Sequence, residues 1–212
     1  MGSSLSDPPV AIVLAAGRGR RFAAAGGGPF KQSRRFQGDR AVVEHVCGLY
    51  AACGLPVVCA LHPELEQLAG RLSDAGHRIV TVADADAGMG HSLAAAVAAS
   101  PSDTGWLIAL ADMPRIRPQT IRAVADALLA GAALCAPCHE GRRGHPVGFS
   151  REFGQALCAL SGDEGARSVL EANADRLRRI DVDDPGVLFD INVPGDLLGL
   201  AGHPPAGRKP QM

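Results

Sequence analysis

The strongest constraint on how this chain folds is a set of short apolar runs in which hydrophobic and polar residues do not alternate. Val10–Ala15, Val57–Leu61 and Trp106–Ala111 are apolar throughout. Strands of that kind are covered on both faces and belong inside a mainly parallel sheet. Stretches of helical length lie between them: 41–53 stopped by Gly54, 63–75 ended by Gly76, 92–99 followed by Pro101, and 118–129 ended by Gly131. Further strands are expected at 78–82, 132–136, 146–149 and 177–182, and further helices at 153–160, 164–172 and 194–200. This alternation, with right-handed crossovers, predicts an α/β three-layer sandwich with a mostly parallel sheet. Ligands of such sheets bind beyond the carboxyl ends of the strands. The loops after Ala15, Val82, Ala111 and Ala136 are therefore expected to face one cleft. The 212 residues suit a single domain over 1–201, and the Pro/Gly/Lys/Arg-rich tail 202–212 is expected to be disordered.

Charge and cysteine usage exclude several classes. A net charge of −1 creates no global field for nucleic acid or acidic membranes, so phosphate recognition has to be local. The first residues lack the basic and apolar regions of a secretory signal, and no uncharged apolar run reaches membrane-spanning length. A cytoplasmic protein is expected, with its six cysteines as free thiols mostly in apolar segments. Cys135-Ala136-Pro137-Cys138-His139 formally matches a haem-attachment signature. That chemistry requires export, and no second ligand pair supports zinc.

The chemistry concentrates in loops. Leu14-Ala15-Ala16-Gly17-Arg18-Gly19 follows the first strand, with Arg20 and Arg21 next. Glycines there let backbone N–H groups turn toward an anion, and the arginines add forked donors. A dinucleotide fingerprint would need glycine where Phe22 stands, and no Walker lysine follows the loop. Among 21 lysines and arginines only Lys31 and Lys209 are lysine, so Lys31 is the one compact ammonium near this loop. Asp112 ends the apolar run 106–111, where a lone carboxylate points into the cleft and suits a hard cation. Mg²⁺ takes one or two protein carboxylates and fills its shell with water and phosphate oxygens, and Asp190 is the candidate second ligand. Gly88 opens a glycine turn in which Ser92 is the expected N-cap of a helix. Arg143 and His145, in a basic turn, and Arg167, at the start of a helix, are candidates for holding an acceptor phosphate.

Taken in order, these pieces resemble the MobA-like nucleotidyltransferases, especially the molybdenum cofactor cytidylyltransferases. The matching segments are Leu14–Arg21 with Lys31-Gln32, Gly88–Leu93, Asp112-Met113-Pro114, Arg143–Val147, Gly162–Arg167 and Asp190–Leu197. The resemblance implies a Rossmann-like nucleotidyltransferase fold. It implies triphosphate binding by Gly17–Arg21 and Lys31, Mg²⁺ on Asp112, and in-line attack by the phosphate of a molybdopterin-type acceptor. It also implies delivery of the product to a molybdenum hydroxylase. Ala16 in Leu-Ala-Ala-Gly points to CTP. Three departures stand out: the inserted 23–28 segment, the polar 33–35 stretch after Gln32, and Asn192 where the family pattern expects an acid.

Competing readings are guanylyl transfer, cytidylyl transfer to a sugar-alcohol phosphate, and a non-catalytic cofactor carrier on the same fold. A dinucleotide-dependent oxidoreductase is opposed by Phe22.

Overall fold

A computed structural model describes residues 7–198. Its strands are Val10–Ala15 (β1), Arg35–Gln37 (β2), Arg40–Ala41 (β3), Val57–Leu61 (β4), Arg78–Thr81 (β5), Gly105–Leu110 (β6), Leu134–His139 (β7), Arg142–Arg143 (β8), Val147–Ser150 (β9) and Leu177–Asp181 (β10). Its helices are Arg20–Phe22 (α1), Val42–Ala51 (α2), Glu66–Asp74 (α3), Met89–Ala98 (α4), Pro118–Leu129 (α5), Gly154–Cys158 (α6), Arg167–Ala172 (α7) and Pro194–Leu198 (α8). The expected disordered tail 202–212 lies outside the described residues.

The main sheet runs β10-β7-β9-β6-β1-β4-β5, with β8 paired onto β7. β1 lies between β6 and β4 and is parallel to both. Its period-two side-chain alternation divides the core. Ala11, Val13 and Ala15 pack on one face with Val42, Val46 and Cys47 of α2 and with Ile121 and Val124 of α5. Ile12 packs on the other face with Leu93, Ala96 and Val97 of α4. Two buried helical layers therefore enclose the sheet, which is the three-layer α/β architecture expected from the unbroken apolar strands.

One expectation gains a detail and one changes. The strand near 146–149 is antiparallel to both neighbours, so the sheet is mixed, though largely parallel. The physical reason is connection length. The few residues between His139 and Val147 contain only the short β8 and no crossover helix, and a connection that short joins antiparallel strands. Helix α4 also starts earlier than expected. Its N-cap is Gly88, and Ser92 is a buried residue inside the helix. The N-terminal turn docks on a distant loop: the Gly90 N–H donates to the Gly162 carbonyl at 2.8 Å. The Gly162 N–H in turn donates to His91 Nδ1 at 3.2 Å.

The chain leaves β1 toward β4 on one side, while β6 flanks β1 on the other. The loops after β1 and β6 therefore diverge, opening a crevice at the carboxyl ends of the strands. Among the described residues no helix is long and apolar enough to cross a membrane.

Candidate active site

The glycine-rich loop after β1 is held from below by one side chain. Gln32 is 3% exposed. Its Nε2 donates to the Ala15 carbonyl at 2.6 Å and to the Gly17 carbonyl at 2.9 Å. Two further carbonyls of the loop are also engaged, Arg18 by the Phe30 N–H and Gly19 by the Ala23 N–H, both at 2.9 Å. Gly19 sits at φ +66°, a left-handed conformation that glycine adopts without steric cost. A Cβ at Gly19 would also lie 3.2 Å from Lys31 Cγ, so the lysine stem lies close against the glycine.

The inserted segment does not displace Lys31. The Phe30 N–H donates to the Arg18 carbonyl at 2.9 Å, closing 19–29 into an excursion whose two ends meet. Within it the Phe22 ring occupies the space a Cβ on Gly27 would need, 2.1 Å from that position. Phe22 thereby folds the insertion back on itself, and Lys31 returns to the foot of the loop.

Lys31 joins three segments. Its Nζ lies 2.6 Å from Asp112 Oδ2 and donates to the Ile191 carbonyl at 2.6 Å. The Ile191 N–H donates to the Asp112 carbonyl at 2.9 Å, so the segment carrying Asp190 and Asn192 runs beside the end of β6. The Asn192 and Val193 N–H groups donate to Asp196 Oδ2 at 2.8 and 2.9 Å, fixing the turn into α8. Those two donors hold the Asp196 carboxyl below the usual carboxylate range.

These parts line one cavity of about 500 Å³, a volume typical of small-molecule sites. Its walls hold Leu14, Ala15, Ala16, Gly17, Arg18, Gly19 and Arg21 from the loop, Lys31 beneath it, and Gly88 and Ser92 from α4. Asp112 and Asp190 complete the set expected at the nucleotide and metal positions. Sequence reasoning did not assign Arg20, Gln32, Asp86, Met89, Asp163 or Asn192, which also line it. The glycines explain why Met89 and Asp163 come together. A Cβ on Gly88 would lie 2.3 Å from Gly162 backbone, and one on Gly90 would lie 2.6 Å from the Ser161 carbonyl oxygen. Glycine alone lets the 88–90 turn and the 161–163 loop touch, so two motifs far apart in sequence form one wall.

Arg18 is at the cavity but already paired. Its Nε donates to Asp86 Oδ1 at 2.7 Å and its guanidinium also meets Glu64 Oε1 at 2.7 Å. The hydrogen bonds to Asp86 and Glu64 raise its pKa further. Arg20 and Arg21 are exposed at the mouth.

The three acceptor candidates lie off the cavity lining. Arg143 is exposed on β8. Arg167 is exposed and its Nε donates to Glu171 Oε1 at 2.7 Å. His145 has a buried Nδ1 without a hydrogen-bond partner. Burial lowers its pKa from the usual histidine value. Cys135 and Cys138 are buried free thiols in β7, and burial pushes Cys135 up to about 12, as befits core residues.

The donor set suits a divalent cation. Two carboxylates and an amide oxygen share the cavity wall, and hard oxygen donors with room for phosphate and water are what such a cation takes. No group of three or more His, Cys, Asp or Glu able to hold a metal occurs among the described residues.

A crevice of this kind, with a glycine loop after the first strand and a carboxylate after a neighbouring parallel strand, defines a nucleotide-handling α/β enzyme. Residues 11–178 match the family described as the MobA-like NTP transferase domain, and the chain belongs to that family of nucleotidyltransferases. Nicotine blue oxidoreductase of Paenarthrobacter nicotinovorans is 30% identical over 190 residues, covering 85% of this chain and 90% of that protein. The crystal structure of Rv0371c from Mycobacterium tuberculosis is 25% identical with a TM-score of 0.73, covering 91% of this chain and 97% of that one. Rv0371c has also been solved as a complex with manganese, at a TM-score of 0.65 and 25% identity over 83% of this chain and 89% of that one. A nucleotidyl transferase from Methanothermobacter shares the fold at 22% identity and a TM-score of 0.75, over 92% and 96% of the two chains.

Proposed function

We propose that this enzyme transfers CMP from CTP to the phosphate of a small acceptor of molybdopterin type and releases pyrophosphate, with Mg²⁺ as the metal. The observation that carries the reading is the convergence of the Gly17–Arg21 loop, Lys31, Asp112 and Asp190 on one cavity. Nucleotidyl transfer needs positioning and charge neutralisation and no covalent nucleophile. Arg21 and Lys31 are the cationic groups for the triphosphate, and the Gly17 and Gly19 backbone gives close approach. Asp112 and Asp190 would hold the cation, which supplies Lewis-acid charge at the phosphates when bound. Manganese in the related Rv0371c complex supports a divalent ion. The acceptor phosphate is ionised at neutral pH, so it attacks the α-phosphorus in line without a strong base, and the bond to pyrophosphate breaks. Ala16 lines the cavity at 3% exposure, and in this reading its methyl group narrows the room for a purine and favours CTP over GTP.

Arg143, His145 and Arg167 belong in this reading to the acceptor side, outside the triphosphate cavity. Transfer of the loaded cofactor to a molybdenum hydroxylase is the corresponding partner step. The test is calorimetric titration of CTP, GTP and ATP with Mg²⁺ on the wild type and on Asp112→Ala. Tight binding of CTP alone, lost in the variant, is expected. Preference for GTP removes the cytidylyl assignment.

A second reading, reductive chemistry in the same cavity, is favoured by one observation: the relative at 30% identity is named an oxidoreductase. It requires NADH to bind where CTP does not, and adding NADH to the same titration separates the two.

A further inference from the structure

We infer that Lys31 is the resident counter-ion of Asp112, and that a divalent cation enters this site together with the triphosphate and not before it. The inference rests on the nucleotidyl-transfer reading for the identity of the incoming anion, and on the geometry of Lys31 for everything else.

Lys31 is the single lysine among the described residues. Its ammonium touches the Asp112 carboxylate at 2.6 Å, and both side chains are largely shielded, at 17% and 18% exposed. The same ammonium donates to the Ile191 carbonyl, next to Asp190. One positive charge thus already sits on the Asp112 carboxylate, at Oδ2. A second cation arriving there meets repulsion from Lys31 across a few ångströms of poorly screened space.

A triphosphate removes this obstacle. Its oxygens compete with Asp112 for the ammonium, which then turns from carboxylate to phosphate. The released carboxylate and the phosphate oxygens together give the cation its ligands. The movement this requires is small. The lysine stem lies against Gly19, where even a Cβ would come within 3.2 Å of Cγ, so the stem keeps its place while the head rotates. The arrangement keeps the enzyme from holding metal in an empty site and ties metal entry to substrate.

The experiment is titration of the full chain with Mn²⁺ alone, without nucleotide, reading free Mn²⁺ by electron paramagnetic resonance. The wild type is compared with Lys31→Met and Lys31→Gln. The glutamine variant keeps a donor for the Ile191 carbonyl, so a folded neutral variant is available if the methionine variant fails to fold. Both are expected to bind Mn²⁺ about tenfold tighter than the wild type or better, following removal of a unit charge beside the site. Adding Asp112→Asn to Lys31→Gln is expected to abolish the gain. Wild-type affinity equal to that of the neutral variants overturns the inference, as does a gain that survives Asp112→Asn. A CTP titration of the wild type separates the two claims. CTP binding without a Mn²⁺ gain in Lys31→Gln defeats the counter-ion role and leaves nucleotidyl transfer standing. A Mn²⁺ gain in a protein that binds no triphosphate does the reverse.

Discussion

Replacing Gln32 with leucine removes the support of the glycine loop while nearly preserving side-chain volume. Two hydrogen bonds disappear, to the Ala15 carbonyl at 2.6 Å and the Gly17 carbonyl at 2.9 Å. Each contributes about 0.5–1.5 kcal/mol net, and a buried carbonyl left without a partner costs about 1–3 kcal/mol. Gln32 is 3% exposed, so water does not readily replace the lost donor. The total is about 2–3 kcal/mol, against a typical total stability of about 5–15 kcal/mol. The variant therefore stays folded at 25 °C, with a melting temperature lower by about 5–10 °C for a chain of this size. The functional effect is separate. With the Ala15 and Gly17 carbonyls free to rotate, the loop no longer presents a fixed surface to phosphate, and triphosphate affinity falls by about tenfold, equivalent to 1.4 kcal/mol. Thermal unfolding and calorimetric titration of CTP on the same sample measure both quantities. A variant that melts early yet binds CTP as the wild type does would refute the claim that Gln32 orders the phosphate loop. Gln32→Glu is expected to be worse than leucine, because a carboxylate sets acceptor against two carbonyl acceptors.

Two further outcomes follow from the packing and the buried histidine. Gly90→Ala puts a Cβ 2.6 Å from the Ser161 carbonyl oxygen and 2.9 Å from its nitrogen, all rigid backbone, and is expected to cost about 1–3 kcal/mol, read as a lower urea midpoint. An unchanged midpoint contradicts the close docking of α4 on the 161–163 loop. The pKa of His145 is lowered from 6.5 by burial, so the unfolded chain takes up this proton at a higher pH than the folded one. Its contribution is present in full above about pH 6.5 and is lost as pH falls toward the lower folded-state value. His145→Leu is expected to flatten the fall in stability below pH 6.5, measured by denaturant unfolding at several pH values. His45 and His77, also lowered by burial, retain part of the slope. An unaltered slope in His145→Leu contradicts this assignment.

The sheet and its helical layers were legible because β1, β4 and β6 are apolar on both faces, which leaves few other folds for the chain. Less visible was what depends on partners distant in sequence. Ser92 has the chemistry of an N-cap, but helix α4 starts at Met89 because the Gly162 carbonyl accepts the Gly90 N–H. Nothing near residue 90 in sequence announces that bond. Strand β9 was found, but its direction follows from the brevity of the connection after β7. The short pairs β2–β3 and β7–β8 carry no apolar periodicity and escaped notice. In the site, residue types at strand ends pointed to Arg21, Lys31, Asp112 and Asp190, all of which line the cavity. Arg18 looked like a phosphate ligand by position, yet Glu64 and Asp86 engage it from loops after β4 and β5. Asp184 was missed altogether. Its buried carboxylate accepts from the Arg117 N–H at 2.8 Å and the Thr120 hydroxyl at 2.6 Å, and so anchors the start of α5. One acid among several, in the stretch Asp181-Val182-Asp183-Asp184, gives no sign of such a role.

The most direct test of the account is pyrophosphate release from CTP in the presence of molybdopterin and Mg²⁺, comparing wild type with Asp112→Asn. Release that requires the acceptor, and that falls by about a hundredfold or more in a variant with unchanged melting temperature, is the predicted result. Equal release by the two proteins, or none from the wild type with any triphosphate, would contradict nucleotidyl transfer at this cavity.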